Sequence, residues 1–317
     1  MTPRVSIVIP SWRGAELLAR HLPAVVEQAR NIDGGAEVLV VDDGSDRDGG
    51  RLETEAFGLP VHFIAAPVHR GFANTANHGA REARGEVLIL WNNDMHPKQW
   101  CLSLLIDALH ARPDCFAVVP RIELPDTHTE SATRLVWKNT SLHAECVDTA
   151  TAAIDPRPVA WPCGGAMACL RERFVALGGF SLRYEPFYWE DVDLGLRAWV
   201  RGFASLEIPT AHASHDHQAT VGNHYGPSEI EQIANRNRRL FTLTHTRGNR
   251  FVRAWAKALA ATFAPGPGRA EMREVFRRWA IDEPPERRFT NSSATRARAR
   301  EIVKRIGEAG DAGWPSA

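Results

Sequence analysis

Four short clusters carry side chains able to do chemistry. Asp42-Asp43-Gly44-Ser45-Asp46 follows the apolar run Val38 to Val41. Carboxylates at the end of a buried strand can accept hydrogen bonds from a nucleobase N–H or from ribose hydroxyls. The same Asp and Ser residues also suit a helix cap, and both readings stand. Asn92-Asn93-Asp94 follows a second apolar run and offers oxygen ligands. Hard divalent cations take such ligands and fill their remaining positions with water and phosphate oxygens, whereas an Asn/Asp turn is the alternative. Trp189-Glu190-Asp191-Val192-Asp193 places three carboxylates within four residues. Mutual repulsion makes that costly unless a cation or a reacting hydroxyl is close, so one of them suits a general base; acidic residues favoured by a helix N-terminus are the plainer reading. His212, His215 and His217 lie close together without a neighbouring cysteine, which favours one metal-binding imidazole over a three-histidine zinc site, or else surface histidines. Further on, Arg236, Arg238 and Arg239 sit on a predicted helix, where they would neutralise a diphosphate or form a solvated face.

The elements that must position these groups follow from periodicity. Val5 to Ile9 reads as a buried strand, and Leu17, Leu18, Leu22, Val25, Val26 and Ala29 recur at helical spacing behind it. Strands are expected at 38–41, 61–65, 86–91 and 116–119, and helices at 72–84 and 102–109. This alternation implies an α/β fold: a Rossmann-like, mainly parallel central sheet with helices on both faces. Ligands of such sheets gather beyond the carboxyl ends of the strands, where the first two clusters fall. Residues 121 to about 160 read as loops or hairpins, followed by a short helix at 171–177 and another beginning near Glu190. After Arg250 come a helix at 252–263, a Pro265-Gly266-Pro267-Gly268 break and an Arg-rich end. The expected organisation is a catalytic unit over residues 1–250, divided into a nucleotide-binding half (1–120) and an acceptor half (121–250), with a helical extension over 251–317.

Bulk properties exclude several classes. The 317 residues carry 38 Lys plus Arg and 38 Asp plus Glu, so no overall field draws the chain to nucleic acid or an anionic bilayer. A spanning helix would need roughly eighteen or more consecutive apolar residues, and the sequence has no such run. Without a secretory signal pattern, a cytoplasmic protein is expected, with at most peripheral contact at the inner membrane face. The basic stripe Arg296, Arg298, Arg300, Lys304 and Arg305 is the one feature that suits a membrane surface, and a solvated helix, packing on the catalytic unit or a homodimer contact are the other readings of the extension. Five cysteines without a C-x-x-C pair are expected to be reduced and mostly buried.

Taken together, VSIVIPSWRG, VDDGSD, RGFANTANHG, LWNNDMHP, CGGAMACLRERFVALGGF, FYWEDVDLGLRAWVRG and His215 five residues before Thr220 resemble, over about residues 4–245, the family-two inverting glycosyltransferases of the GT-A fold. The closest likeness is to the branch of bacterial rhamnosyl- and galactosyltransferases of polysaccharide synthesis. The resemblance implies that Pro10, Ser11 and Asp42 line a nucleoside pocket, with Asp43, Gly71, Asn77 and Asn93 at the donor. Asp94 matches the last residue of the family's D-x-D motif, whose preceding positions are here Asn92 and Asn93, and His215 matches its metal-associated histidine. Asp191 matches the catalytic base, with Glu190 as the fallback; Gly165, Gly178 and Gly179 match loops bordering donor and acceptor, and Trp189 is placed to stack on an acceptor sugar. Implied with these are a divalent metal (Mn2+ or Mg2+), a UDP- or dTDP-sugar donor, a saccharide or lipid-linked glycan acceptor, and inversion in one displacement. The rivals are a sugar nucleotidyltransferase, disfavoured by the Pro10-Ser11-Trp12-Arg13-Gly14 loop, and a non-catalytic nucleotide-sugar-binding subunit, disfavoured by the Glu190-Asp191 pair.

Overall fold

The computed structural model describes residues 3–45, 61–126, 128–138, 141–147, 154–216 and 221–245, together with Met272, Glu274, Val275, Arg277 and Arg278. The chain opens as β1 (Val5–Ser11), α1 (Ala15–Arg30), β2 (Ala36–Asp42), β3 (Val61–Ala65), α2 (Phe72–Glu82) and β4 (Val87–Trp91). It continues through β5 (Met95–Pro97), α3 (Cys101–His110) and β6 (Cys115–Glu123), then the hairpin of β7 (Thr133–Lys138) and β8 (Ser141–Cys146). β9 (Arg157–Val159), β10 (Ala166–Leu170), α4 (Arg171–Ala176), α5 (Glu190–Val200), β11 (Ala204–His215), α6 (Val221–His224) and α7 (Pro227–His245) follow.

One sheet runs β3-β2-β1-β4-β10-β6-β11-β5, with β9 on β11, and β7–β8 forms a separate ribbon. The pairs β3–β2, β2–β1, β1–β4 and β6–β11 are parallel, as the alternation requires. Antiparallel β10 is inserted between β4 and β6, so a strand from the second half completes the sheet of the first. Side chains alternate across β1: Ile7 and Ile9 pack with Leu18 of α1 and Leu102 of α3, while Val8 packs with Ala73 and Ala76 of α2. Close packing on that second face depends on Gly79, where a Cβ would come within 2.3 Å of Val8.

A third core cluster joins the hairpin (Leu135, Leu142) to Trp161, Trp189, Leu196 of α5 and Leu240 and Phe241 of α7. Met272 and Val275 are buried in the same cluster, and Arg278 donates to the carbonyls of Arg183 and Glu185. This part of the expected extension therefore packs on the preceding fold. The expected helix at 252–263 and the basic stripe at 296–305 lie outside the described residues. Among the described residues, no helix is long and apolar enough to cross a membrane. All five cysteines are free; Cys101, Cys115 and Cys169 are buried, whereas Cys146 is exposed.

Candidate active site

A cleft of about 570 Å³ opens beyond the carboxyl ends of β1, β2 and β4. Its first wall comes from strand ends. Pro10 and Ser11 line it, and Ser11 Oγ accepts from Asn93 Nδ2 at 3.1 Å. That approach is open because residue 14 is glycine: a Cβ there would fall 2.1 Å from Asn93 Nδ2. Asp43 also lines the cleft; its carboxylate accepts from the amides of Arg70 (2.9 Å) and Gly71 (2.7 Å) and lies 2.7 Å from His69 Nδ1. Asp42 is turned to its own loop, accepting from Ser45 N at 2.9 Å and Ser45 Oγ at 2.5 Å, and is not part of the cleft lining. Its cap-like role is the alternative that the sequence left open. The Trp12 ring lies parallel to His69 at 4.0 Å and near His224, presenting an aromatic face to the cleft.

Asn77 departs from expectation. Its Nδ2 donates to Phe180 O (2.8 Å) and its Oδ1 accepts from Phe180 N (2.9 Å), so both ends of the amide tie α2 to the segment before α5, away from the cleft. Gly178 and Gly179, at φ 80 and 64, belong to that same junction, whereas Gly165 does line the cleft, where a Cβ would meet Asn92 Nδ2 at 2.5 Å.

The floor is made by the turn after β4. Trp91 Nε1 donates to Met95 O (3.1 Å), closing the turn over Asn92-Asn93-Asp94. β11 pairs with β5 so that His215 stands opposite Met95, which brings His215 Nε2 to 3.4 Å from Asp94 Oδ1. That oxygen is buried and makes no aligned hydrogen bond, so the contact is an ion-pair distance only. His215 Nδ1 lies 2.5 Å from Glu130 Oε1. Burial alone would lower His215, but Asp94 and Glu130 outweigh it and raise its pKa to about 10. A carboxylate oxygen and an imidazole nitrogen 3.4 Å apart are spaced as adjacent ligands of one small cation at bonds of about 2.1 Å, and a carboxylate behind the imidazole is the usual support for such a ligand. Asp94 and His215 thus fit two ligands of a divalent cation; among the described residues no group of three or more His, Cys, Asp or Glu is arranged to hold a metal by itself. His212 is paired instead with Glu123 at 2.9 Å, and His217 lies outside the described residues.

The second wall begins with α5. Tyr188 and Trp189 adopt φ of 70 and 80, a left-handed backbone costly for side chains of this size. Asn237 of α7 holds them there, its Nδ2 donating to the carbonyls of Tyr184, Phe187 and Tyr188. The three acids of α5 then separate. Asp193 faces inward, accepting from Arg197 Nε and lying at the same 2.7 Å from His245 Nε2; against the effect of burial, these partners hold it well below the usual carboxylate range. Asp191 keeps part of its surface open to the cleft and accepts from Val192 N (2.7 Å) and Gly164 N (3.4 Å). Desolvation exceeds these bonds and raises it to about 6. Glu190 is pushed well above the usual range by burial and by Asp191 beside it, and its Oε2 is buried without a partner.

Trp189 is only 8% exposed and packs on Phe241 at 5.1 Å, so most of the ring belongs to the core while its remaining edge contributes to the cleft lining. Of the three arginines, only Arg238 lines the cleft; Arg236 donates to Glu185 O and Arg239 reaches Met272. Trp12, His69, Glu130 and Glu185 escaped the sequence reading. Glu185 Oε1 accepts from Asn74 N at 3.0 Å, and burial raises this acid to about 8 as it packs under Gly71.

The family model for glycosyl transferase family 2 matches residues 6–172. The dolichol-phosphate mannosyltransferase of Mycosarcoma maydis is 32% identical over 114 residues, or 33% of this chain and 38% of that protein. An N-acetylglucosaminyl-diphospho-decaprenol L-rhamnosyltransferase of Mycobacterium tuberculosis is 39% identical over 66 residues, 21% of each chain. These matches span well under half the length of the relatives. The structure of GalNAc-T7 with UDP, GalNAc and Mn2+ superposes with a TM-score of 0.63 at 16% identity, covering 87% of this chain and 54% of that one, which shows a shared GT-A fold.

Proposed function

The chain belongs to glycosyl transferase family 2, and from that premise we propose that it is an inverting enzyme using a UDP- or dTDP-sugar. The sugar would pass to a hydroxyl of a saccharide or lipid-linked glycan. In this reading residues 1–250 form one catalytic unit, its first 120 residues serving the nucleotide and the rest the acceptor, and the protein works in the cytoplasm or against the inner membrane face. The observation that carries the proposal is Asp191, a carboxylate raised to about 6, in the same cleft as the Asp94–His215 pair.

Burial raises both carboxyls, Asp191 to about 6 and Glu190, with Asp191 beside it, well above its ordinary range, which separates the base from its neighbour. Asp191 takes the acceptor hydroxyl's proton while that oxygen bonds to the anomeric carbon; the bond from this carbon to the diphosphate oxygen breaks with its electron pair, and one displacement inverts the centre. Asp94 and His215 would hold Mn2+ or Mg2+, which supplies positive charge for a departing diphosphate when bound. Glu130 fixes the His215 ring, and the Trp12 face offers a stacking surface for a base. Calorimetric titration with UDP, dTDP and GDP, each with and without Mn2+ or Mg2+, tests the donor site. Metal-dependent binding of one diphosphate, lost in Asp94→Ala, is expected; a protein that binds none of them is not the enzyme described.

A further inference from the structure

The cleft is electrostatically lopsided. Among the described residues, five carboxylates line it (Asp43, Asp94, Glu130, Glu190 and Asp191), and Arg238 is the only lysine or arginine in that lining. That guanidinium is fixed by its surroundings. Nη2 donates to Asn235 Oδ1 at 2.9 Å, and Nη1 lies 3.1 Å and 3.0 Å from the two ring nitrogens of His143 on β8. Burial and the charges of Arg238 and Lys138 lower the His143 pKa, with Glu145 acting against them.

Arg238 belongs to the wall away from the nucleotide side. It is carried by α7, which packs on β8, with Leu142 N donating to Thr242 Oγ1 at 3.2 Å. Its neighbour Asn237 grips the backbone of Tyr184, Phe187 and Tyr188, so the arginine is held in register with the segment that presents Asp191. Trp12, His69 and Asp43, by contrast, come from the loops after β1, β2 and β3.

A neutral sugar hydroxyl does not require a rigid cation, whereas a planar fork of N–H donors matches the oxygens of a phosphoryl group. Resting on the glycosyl-transfer reading of the cleft, we infer that Arg238 binds a phosphoryl group carried by the acceptor, so that the acceptor is a sugar phosphate or phosphate-linked glycan and not a neutral saccharide. The other source of the same chemistry is the donor diphosphate, and the experiment separates the two.

The full chain is saturated with UDP and Mn2+, then titrated calorimetrically with N-acetylglucosamine 1-phosphate, galactose 1-phosphate and the two parent sugars. A sugar phosphate is expected to bind about tenfold or more tighter than its parent sugar, as one charge-assisted contact allows. Arg238→Gln should erase that margin with UDP affinity held within about twofold, and Arg238→Lys should restore part of it. Equal binding of phosphates and parent sugars to the wild type overturns the inference, a comparison that stands even if Arg238→Gln misfolds. A loss of UDP affinity of about tenfold or more in a folded Arg238→Gln assigns the guanidinium to the donor diphosphate and also overturns it. If UDP does not bind, the same titrations are run with dTDP in its place; absence of binding by UDP, dTDP and GDP alike before any sugar is added has a different signature, because it removes the proposed donor site itself.

Discussion

The two walls of the cleft are held by different means. On the side built by the loops after β1, β2 and β3, backbone amides do much of the holding: Ser45 N bonds Asp42, and Arg70 N and Gly71 N bond Asp43. On the other side, side chains from distant elements set the geometry: Glu130 behind His215, Asn237 under Tyr188, Arg197 and His245 on Asp193. A loop closed on its own amides tolerates loss of one side-chain charge, because the carbonyl of an amide replacement still accepts. A wall built from buried side-chain partners does not, since each lost partner leaves another group unpaired.

Substitutions should reproduce that asymmetry, with the largest effect at Asp191. Asp191→Asn should lower transfer by roughly 10²- to 10⁴-fold while diphosphate affinity is kept, read by single-turnover rates beside calorimetry. In the wild type kcat/KM should fall as pH drops through about 6, because a base with a raised pKa is protonated below that value. A flat profile between pH 5 and pH 7 would separate Asp191 from the chemistry. Glu130→Gln comes next, with metal affinity about 10- to 100-fold weaker and the fold unchanged by circular dichroism. Asp42→Asn should do least, shifting diphosphate affinity by no more than about twofold, since Ser45 still finds an acceptor. If Asp42→Asn abolished binding and Glu130→Gln were silent, the contrast between the walls would be reversed.

The same contrast governs how much the sequence discloses. Apolar runs place β1, β2, β3 and β4 within about two residues: β1, β2 and β4 are almost wholly buried runs, and β3, half-buried at its centre, still shows as a short β-branched and aromatic stretch. Antiparallel β10 is different: Ala166–Leu170 is a short apolar segment with nothing local to say that it inserts between β4 and β6. Residue types alone offer Asp94 and His215 only as separate oxygen and imidazole donors, and it is the family resemblance that puts both at a metal; their meeting depends on β11 pairing with β5, a long-range ladder that no spacing reveals. Trp12 and Trp189 differ for a related reason. Trp189 stands beside the acidic cluster and is mostly buried against Phe241 with only an edge in the cleft lining, whereas Trp12 looks like a strand-end residue and lines the cleft stacked on His69. Asn77 lies in a motif that the family likeness assigns to the donor, and only the partner Phe180, supplied by a remote segment, shows where its amide is used.

The inserted strand β10 also limits how the molecule can move. With β4, β10, β6 and β11 hydrogen-bonded in one continuous sheet, the first and second parts of the chain share a single plate, and swinging them apart would tear inter-strand bonds along its middle. Two lobes on a linker open by a hinge, but this architecture has its seam stitched shut. The short α6 and Tyr225 beside Trp12 lie outside these ladders, so a shift there costs surface contacts and no sheet bonds. An enzyme working through the proposed cleft would then open at this rim, and its rate should be insensitive to crowding agents that penalise large changes of shape.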